Sequence, residues 1–519
     1  MPSSFWELCQ RFCKEEQAIR MAEQQRAVER QHPLGRMTAR ERLVHLFDEG
    51  STSIEMGLWA GYEMYEEWGG APSAALICAI GWVEGRRCLV MANDATVKAG
   101  ALFPLSIKKL LRGQEIARRC KLPLLYLVDS AGVFLPLQDE VFPDDRHLGR
   151  LLHTTSLLAQ EGIPQIAAIM GDAIGGSAYL PLLCDQLLMT KQSSLCVGGP
   201  ALVEAAIGQR VSLGQLGGAH LHARMNGIID FVTEDDASCL EQLRRLVSLL
   251  PAAVEQKPPA IALEPKAPVE TIYQLLSADN SQAYDVEQLL ACLIDSDSDL
   301  IYKSDYGKSL YCLYARIQGW PVAIVASQRL ASKSYSGELQ VGGVLYAESA
   351  EKAAAFIEEA DRLRMPLLFL QDVSGFMVGK RAEESAILRS GARLLEALSA
   401  SRVAKLTLII GNSFGAAHYA LCGRAYDPLF LASWPNGRYG VMGSEQAADT
   451  LVSLAPPSLK ESQKESIRQH WYESYLRQTD IRYAAARGWV DAIVYPASTR
   501  SLLADLLQLS HRIEPLAPS

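Results

Sequence analysis

The chain has 519 residues, 49% of them apolar and 21% charged, with a formal net charge of −9. Such a length implies two domains of roughly 200–250 residues, and the acidic balance argues against a nucleic-acid surface. No apolar run reaches the ~18 residues of a membrane span, and the eleven cysteines form no CxxC pair, which argues against a metal cluster or a disulfide framework.

The N-terminus, "MPSSFWELCQRFCKEEQ", lacks an apolar signal core, so an intracellular chain is expected. Residues 3–30 read as a polar helix, and "TARERLVHLFDEGS" (38–51) as a short amphipathic helix ending in Gly. Both are expected to be docking arms without chemistry. "SAALICAIGWVEGRRCLVMAND" (73–94) predicts two β-strands joined at Glu84–Gly85. "ALFPLSIKKLLRGQEIARRCKLP" (101–123) is an amphipathic helix with Ile107, Leu110, Leu111 and Ile116 on its apolar face, stopped by Pro123. "LLYLVD" then reads as a strand buried on both faces. A helix, "HLGRLLHTTSLLAQEGIP", and a second buried strand, "QIAAIMGD", follow, which is the alternation of a layered α/β unit.

The second half repeats this order. "PLLYLVDSAGVFLP" (123–136) returns as "PLLFLQDVSGFMVG" (366–379), the helix of 101–123 as 344–366, and 166–181 as "LTLIIGNSFGAAHYAL" (406–421). Two copies indicate duplication of a whole domain rather than a solenoid. The expected division is a domain over 1–250, a Pro-rich linker over 251–270 and a second domain over 271–519.

Each half carries a buried strand that ends in a small-residue turn before a helical segment. The first copy is Gly171 and then Ile174–Gly175–Gly176–Ser177; the second is Gly411 and then Phe414–Gly415–Ala416–Ala417. Small residues let another group approach the backbone, and the unpaired N–H groups of a helix start face incoming negative charge. An oxyanion hole is therefore one reading of each turn, and close helix–strand packing is the other. No GxSxG, Walker loop or HExxH accompanies them. His147, His153, His220, His222 and His418 read as structural or surface residues. Asp129 and Asp372, at repeat positions after buried strands, are turn caps before they are general bases. Lys108, Lys109, Arg112, Arg118 and Arg119 crowd one helix, as a solvated face or, more sharply, a phosphate site.

The stretches "VMANDATVKAGALFPLSIKKLLRGQEIA", "LVDSAGVFLPLQDEVFPDDRHLGR", "LGGAHLHARMNGIIDF", "FLQDVSGFMVGK" and "CGRAYDPLFLASWPNGRYGVMGSEQAA" resemble the carboxyltransferase (β) subunit of biotin-dependent acyl-CoA carboxylases. Within it the chain is most similar to the 3-methylcrotonyl-CoA branch, with geranyl-CoA carboxylase close by. The likeness runs from about residue 30 to 495, and "VFPDDRHLGR", "GFMVG" and "CGRAYDP" carry its narrower part. It implies two tandem crotonase-like (ClpP/crotonase ββα superhelix) domains of the α/β class. The first would bind acyl-CoA. The second would bind carboxybiotin carried by a separate biotin carboxylase/biotin carrier (alpha) subunit. The family also implies a ring-like homo-hexamer with sites shared between copies, in the bacterial cytoplasm or the mitochondrial matrix, and no metal, membrane or nucleic-acid partner. The resemblance places Gly175 and Gly176 at the thioester oxygen and Ala416 and Ala417 at the ureido oxygen of biotin. It places Ser130, Ala131, Gly132, Val133, Gly375, Phe376 and Gly415 around the substrates. The cofactor would supply the base and the protein the orientation, which fits the missing side-chain set.

Departures from the family pattern bear on the acyl group. Leu137 stands where a basic residue is expected, "DSGGA" has become Asp129–Ser130–Ala131–Gly132–Val133, and "ATGE" has become Ala206–Ile207–Gly208–Gln209. The stretch between Val325 and Gly343 is about ten residues longer than the family turn. A crotonase-type hydratase, isomerase or decarboxylase is the rival reading. A hydratase needs two positioned carboxylates, and neither turn holds a Glu. An inactive scaffold paralogue is the third reading.

Overall fold

The computed structural model describes residues 4–251, 257–334, 337–456 and 458–513. They divide into two compact units. One lies within Lys14–Glu255 with Ala486–Gly488, and the other within Met1–Cys13, Gln256–Ala485 and Trp489–Ser519. The start of the first helix (Phe5–Arg30) thus groups with the C-terminal unit. Of the predicted linker, residues 252–256 lie outside the described residues, and a helix begins at Glu270. No described helix is long and apolar enough to cross a membrane.

In the N-terminal unit the strands are β1 (Ile54–Met56), β2 (Leu76–Val83), β3 (Arg86–Asn93), β4 (Leu124–Ser130), β5 (Gln165–Ile174), β6 (Gln186–Thr190), β7 (Ser194–Cys196) and β8 (Phe231–Thr233). Their order is β1-β2-β3-β4-β5-β6-β8, with β7 paired to the end of β5. β1, β2 and β3 are antiparallel neighbours; from β3 onward the pairings are parallel. The β2–β3 hairpin turns at the predicted Glu84–Gly85, both with positive φ (51° and 68°). The Asp48 carboxylate accepts both of their N–H groups, at 2.9 and 2.8 Å. β4 is buried along its whole length, as its unbroken apolar run predicts.

The C-terminal unit contains β9 (Leu300–Tyr302), β10 (Leu310–Ile317), β11 (Trp320–Ser327), β12 (Ser332–Lys333), β13 (Leu339–Gln340), β14 (Val344–Leu345), β15 (Leu367–Val373), β16 (Gly375–Phe376), β17 (Lys405–Phe414), β18 (Phe430–Ser433), β19 (Arg438–Gly440) and β20 (Ala492–Ile493). Its main sheet runs β9-β10-β11-β15-β17-β18-β20, with β19 paired to β17. This repeats the first sheet strand for strand and is the duplicated crotonase-like architecture. The stretch after β11 forms a short antiparallel pair, β12–β13; its residues 335–336 lie outside the described residues.

On the basic helix of the N-terminal unit (Pro104–Cys120), Lys108 and Arg118 are exposed, as a solvated face predicts, whereas Lys109 corrects that reading. Lys109 is buried, and its Nζ donates to the carbonyls of Gly57, Ser73 and Leu76 at 2.9, 3.2 and 2.5 Å. Burial pushes its ammonium down to about 8, opposed by the Glu55 carboxylate. Lys108 donates to the Arg487 carbonyl, Arg112 and Arg119 pair with Glu115, and Arg118 pairs with Glu161. The C-terminal unit repeats the lysine. Lys352, on the helix Ala347–Arg362, donates to the carbonyls of Lys303, Tyr306 and Gly307. Each lysine ties a loop to its helix by donating to carbonyls of that loop, several of which also accept a backbone N–H of their own turn. Lys109→Met and Lys352→Met keep the stem and remove those donated bonds, so each is expected to cost roughly 2–4 kcal/mol. Arg118→Ala, which opens a surface pair, should cost less than about 1 kcal/mol. Urea unfolding of the three variants checks the contrast.

Candidate active site

The small-residue turns follow the ends of β5 and β17. Gly175 has φ 66° and ψ −130°, a conformation that residues with a Cβ avoid. Its N–H is not free, since it donates to the Cys196 carbonyl on β7 at 3.0 Å. Gly175 therefore shapes the turn. Gly176 and Ser177 open the following helix (Gly176–Leu182), so their N–H groups have no carbonyl within it to bond. The Ser177 hydroxyl closes the turn by donating to the Ile174 carbonyl at 2.8 Å and toward the Ser130 carbonyl at 3.3 Å. In the second turn Gly415 repeats the left-handed backbone with φ 61°. Ala416 is exposed and Ala417 buried, and both lie in the first turn of the helix Gly415–Ala420.

The loop after β4 comes to the first turn. Gly132 has φ 93°, and a Cβ there would stand 2.6 Å from the Ile174 carbonyl oxygen. Its N–H donates to the Ser130 hydroxyl at 3.2 Å, and the exposed Ala131 donates its own to the Ala99 carbonyl. Val133 bridges Leu102 in parallel, and its Cγ2 lies 3.9 Å from where a Gly176 Cβ would be. Ser130, Gly132, Val133, Gly175 and Gly176 are therefore one cluster. In the C-terminal unit Gly375 and Phe376 form β16, which pairs with β14, and the helix Gly415–Ala420 packs against it. The Phe376 ring lies 3.4 Å from a Cβ placed on Gly391. Leu137 joins the apolar cluster of Phe103, Tyr65 and Phe134, and Gln209 is exposed. A separate cavity of about 340 Å³ under residues 58–73 holds none of the predicted site residues.

Asp129 and Asp372 are neither turn caps nor bases open to a substrate; both are buried at slips in strand register. The Asp129 carboxylate lies about 2.0 Å from any Cβ at Gly171, and Asp372 stands in the same way over Gly411 at 2.4 Å. Those glycines are thus seats for carboxylates rather than parts of the turns. Asp129 accepts the Asp172 N–H and pairs with Arg42 at 3.2 Å; Asp372 accepts the Asn412 N–H and pairs with Arg329 at 3.3 Å. Burial pushes both carboxyls up, and the arginines oppose it. The reading of residues 38–51 as a chemically silent arm missed Arg42. The signal was there: it shares a helical face with Ala39, Leu43 and Leu46, all buried.

The histidines separate in the structure. His153 and His220 are exposed, and the His147 ring accepts the Asp144 N–H. His222 Nε2 lies 2.7 Å from the Leu195 carbonyl. His418 is buried, and burial pushes it down to about 4. Among the described residues no group of three His, Cys, Asp or Glu could hold a metal.

The carboxyl transferase domain model matches residues 30–514. The chain is 40% identical over 494 residues to the biotin-dependent 3-methylcrotonyl-coenzyme A carboxylase beta1 subunit of Mycobacterium tuberculosis, covering 93% of this chain and 90% of that protein. It is 39% identical over 492 residues to the mitochondrial methylcrotonoyl-CoA carboxylase beta chain of Arabidopsis thaliana, covering 92% and 81%. Among solved structures, the beta subunit of P. aeruginosa geranyl-CoA carboxylase superposes with a TM-score of 0.89 at 30% identity, covering 100% of this chain and 97% of that one.

The buried His418 makes stability sensitive to acid. The unfolded chain takes up its proton near pH 6.5, while the folded chain holds it off until about 4. Its contribution is therefore complete above about 6.5 and is lost as pH falls toward 4, by up to roughly 3 kcal/mol. Denaturant midpoints at pH 7 and pH 5 should draw apart in the native chain and move closer together in His418→Asn.

Proposed function

The chain belongs to the carboxyl transferase family, and we propose that it moves a carboxyl group from biotin, carried on a partner subunit, to a branched enoyl-CoA such as 3-methylcrotonyl-CoA. The observation that carries this reading is the small-residue turn present once in each half of a chain whose relatives are acyl-CoA carboxylase β subunits.

In this reading the first turn holds the thioester oxygen. The Gly176 N–H is the donor there, with Ser177 beside it. Gly175, whose own N–H is committed to Cys196, supplies the turn. The loop Ser130–Val133 lies alongside and borders the acyl group. The second turn suits the ureido oxygen of biotin, because Ala416 and Ala417 add one methyl each and open a helix. Gly375, Phe376 and Gly415 line that side. When bound, biotin supplies the carboxyl group and the base. The chain's part is to orient two substrates and to stabilise negative charge with backbone N–H groups.

A geranyl-CoA-type acceptor is the second reading. It is favoured by Leu137, which packs among Phe103, Phe134 and Tyr65 where the family pattern predicts a basic residue. A panel of short and long enoyl-CoA acceptors separates the two. The reading also gives the chain a homo-oligomeric, hexameric state and a separate biotin carboxylase/carrier subunit, in the bacterial cytoplasm or the mitochondrial matrix. The purified chain should therefore give no streptavidin signal and should scatter light as a species well above 56.9 kDa.

Two proline variants test the division of labour. Gly176→Pro places proline at the first helical position and removes one donor; its Cβ would also stand 2.5 Å from Leu148 Cδ2, so native size and melting behaviour are established before its kinetics are read. Acyl-CoA turnover should fall about 10²–10³-fold, while carboxybiotin breakdown without acceptor stays near the native rate. Ala416→Pro should depress both. Equal loss of both partial reactions in folded variants of both turns would overturn the assignment.

A further inference from the structure

The two turns are built alike but fastened differently. In the first, Val128, Ala173 and Ala178 occupy the positions that Gln371, Ser413 and His418 hold in the second. Those three form a buried polar network under the second turn. Ser413 Oγ lies 2.5 Å from Gln371 Oε1 and 2.8 Å from His418 Nδ1, and Nδ1 lies 3.3 Å from the same Gln371 oxygen. The Gln371 amide nitrogen donates to the carbonyls of His418 and Leu421 at 3.3 and 2.6 Å. This pattern orients every group. The Ser413 hydroxyl donates to Gln371, so Nδ1 carries the imidazole proton and donates in turn. Nε2 is then a bare lone pair, buried and, among the described residues, without a hydrogen-bond partner. It faces Gly423, where a Cβ would come within 2.2 Å of it, and the imidazole ring lies nearly perpendicular to Tyr439 with ring centres 4.5 Å apart.

A buried acceptor without a donor costs free energy. It persists here on a residue one position beyond Ala417, the second candidate donor. We infer that His418 is a positioning residue for the second turn: keyed by Gln371 and Ser413, it locks the helix Gly415–Ala420 onto β15 and β17 and so aims the Ala416 and Ala417 N–H groups. The inference rests on the carboxyl-donor role proposed above for that turn. Rigidity comes from the side-chain network rather than from a serine hydroxyl closing on carbonyls, as Ser177 does.

The test uses the full chain, free biotin as carboxyl acceptor and 3-methylglutaconyl-CoA as donor. His418→Leu keeps the volume and removes the hydrogen bond. It should raise the biotin KM or lower kcat about 10–100-fold, the cost of a misaimed donor, with the acyl-CoA KM within about twofold of native. His418→Asn, which restores an N–H near Nδ1, should recover activity to within about fivefold. If the leucine variant fails to fold, Ser413→Ala, which removes one hydroxyl, should show the same split. Equal shifts for biotin and acyl-CoA, native kinetics in folded His418→Leu, or no rescue by asparagine would each overturn the inference. A native chain that transfers no carboxyl group to biotin, nor to any acyl-CoA from a carboxylated carrier, would instead defeat the underlying reading.

Discussion

Each half depends on one buried carboxylate seated on a glycine. Asp129 and Asp372 sit where the register of β4 on β5 and of β15 on β17 slips, each with its carboxylate over a strand glycine and against an arginine. The slip is what lets the chain leave the sheet. Beyond it, Ser130–Val133 turns toward Ile174, close enough that Gly132 tolerates no side chain. The same device in the C-terminal unit precedes Gly375–Phe376. A buried ion pair is weak as a source of stability, because desolvation offsets most of the attraction. Its effect is on geometry, since each pair ties the strand slip to a side chain from another part of the chain. One constraint thus fixes both the loop and the turn of each candidate site.

The two halves reach this constraint by different routes. Arg42 comes from the helix Ala39–Leu46, which precedes the first strand of its sheet, and it also binds Asp236 at 2.9 Å. Arg329 comes from the stretch directly after β11, where it also donates to the Asn280 carbonyl at 3.1 Å. The segment between Val325 and Gly343 therefore delivers the cation that the N-terminal unit takes from elsewhere. The buried lysines behave oppositely. Lys109 and Lys352 occupy the same place on equivalent helices and bind carbonyls of equivalent loops. Duplication kept the lysine by position and the arginine only by its place in space.

That difference explains what the sequence disclosed. The repeated strands, the Glu84–Gly85 hairpin and the helix spans around 104–120 and 347–362 were legible, because apolar periodicity and turn residues are local signals. The small-residue turns were legible because lack of bulk is written in the residues themselves. The burial of Lys109 was not legible, since its partners are carbonyls at 57, 73 and 76, which no side-chain pattern reports. The commitment of the Gly175 N–H to Cys196 was hidden for the same reason. Gly171 and Gly411 were assigned to the turns when each belongs to an aspartate that approaches from the neighbouring strand.

A site made of backbone donors leaves its supporting side chains free to change, provided the donors keep their direction. This accounts for a duplicated geometry with unlike fastenings: a serine hydroxyl closing on carbonyls at 174 and 130, and an imidazole held by an amide and a hydroxyl at 418. Side-chain identity around such a turn records how it is held, whereas the small residues record what must come close. The two kinds of information part most clearly at the second turn. There Ala416 is exposed and chemically bland, while the polar groups that set its direction lie buried behind it. Residues under a backbone-donor site therefore govern its rate through orientation, even though none of them reaches the reacting atoms.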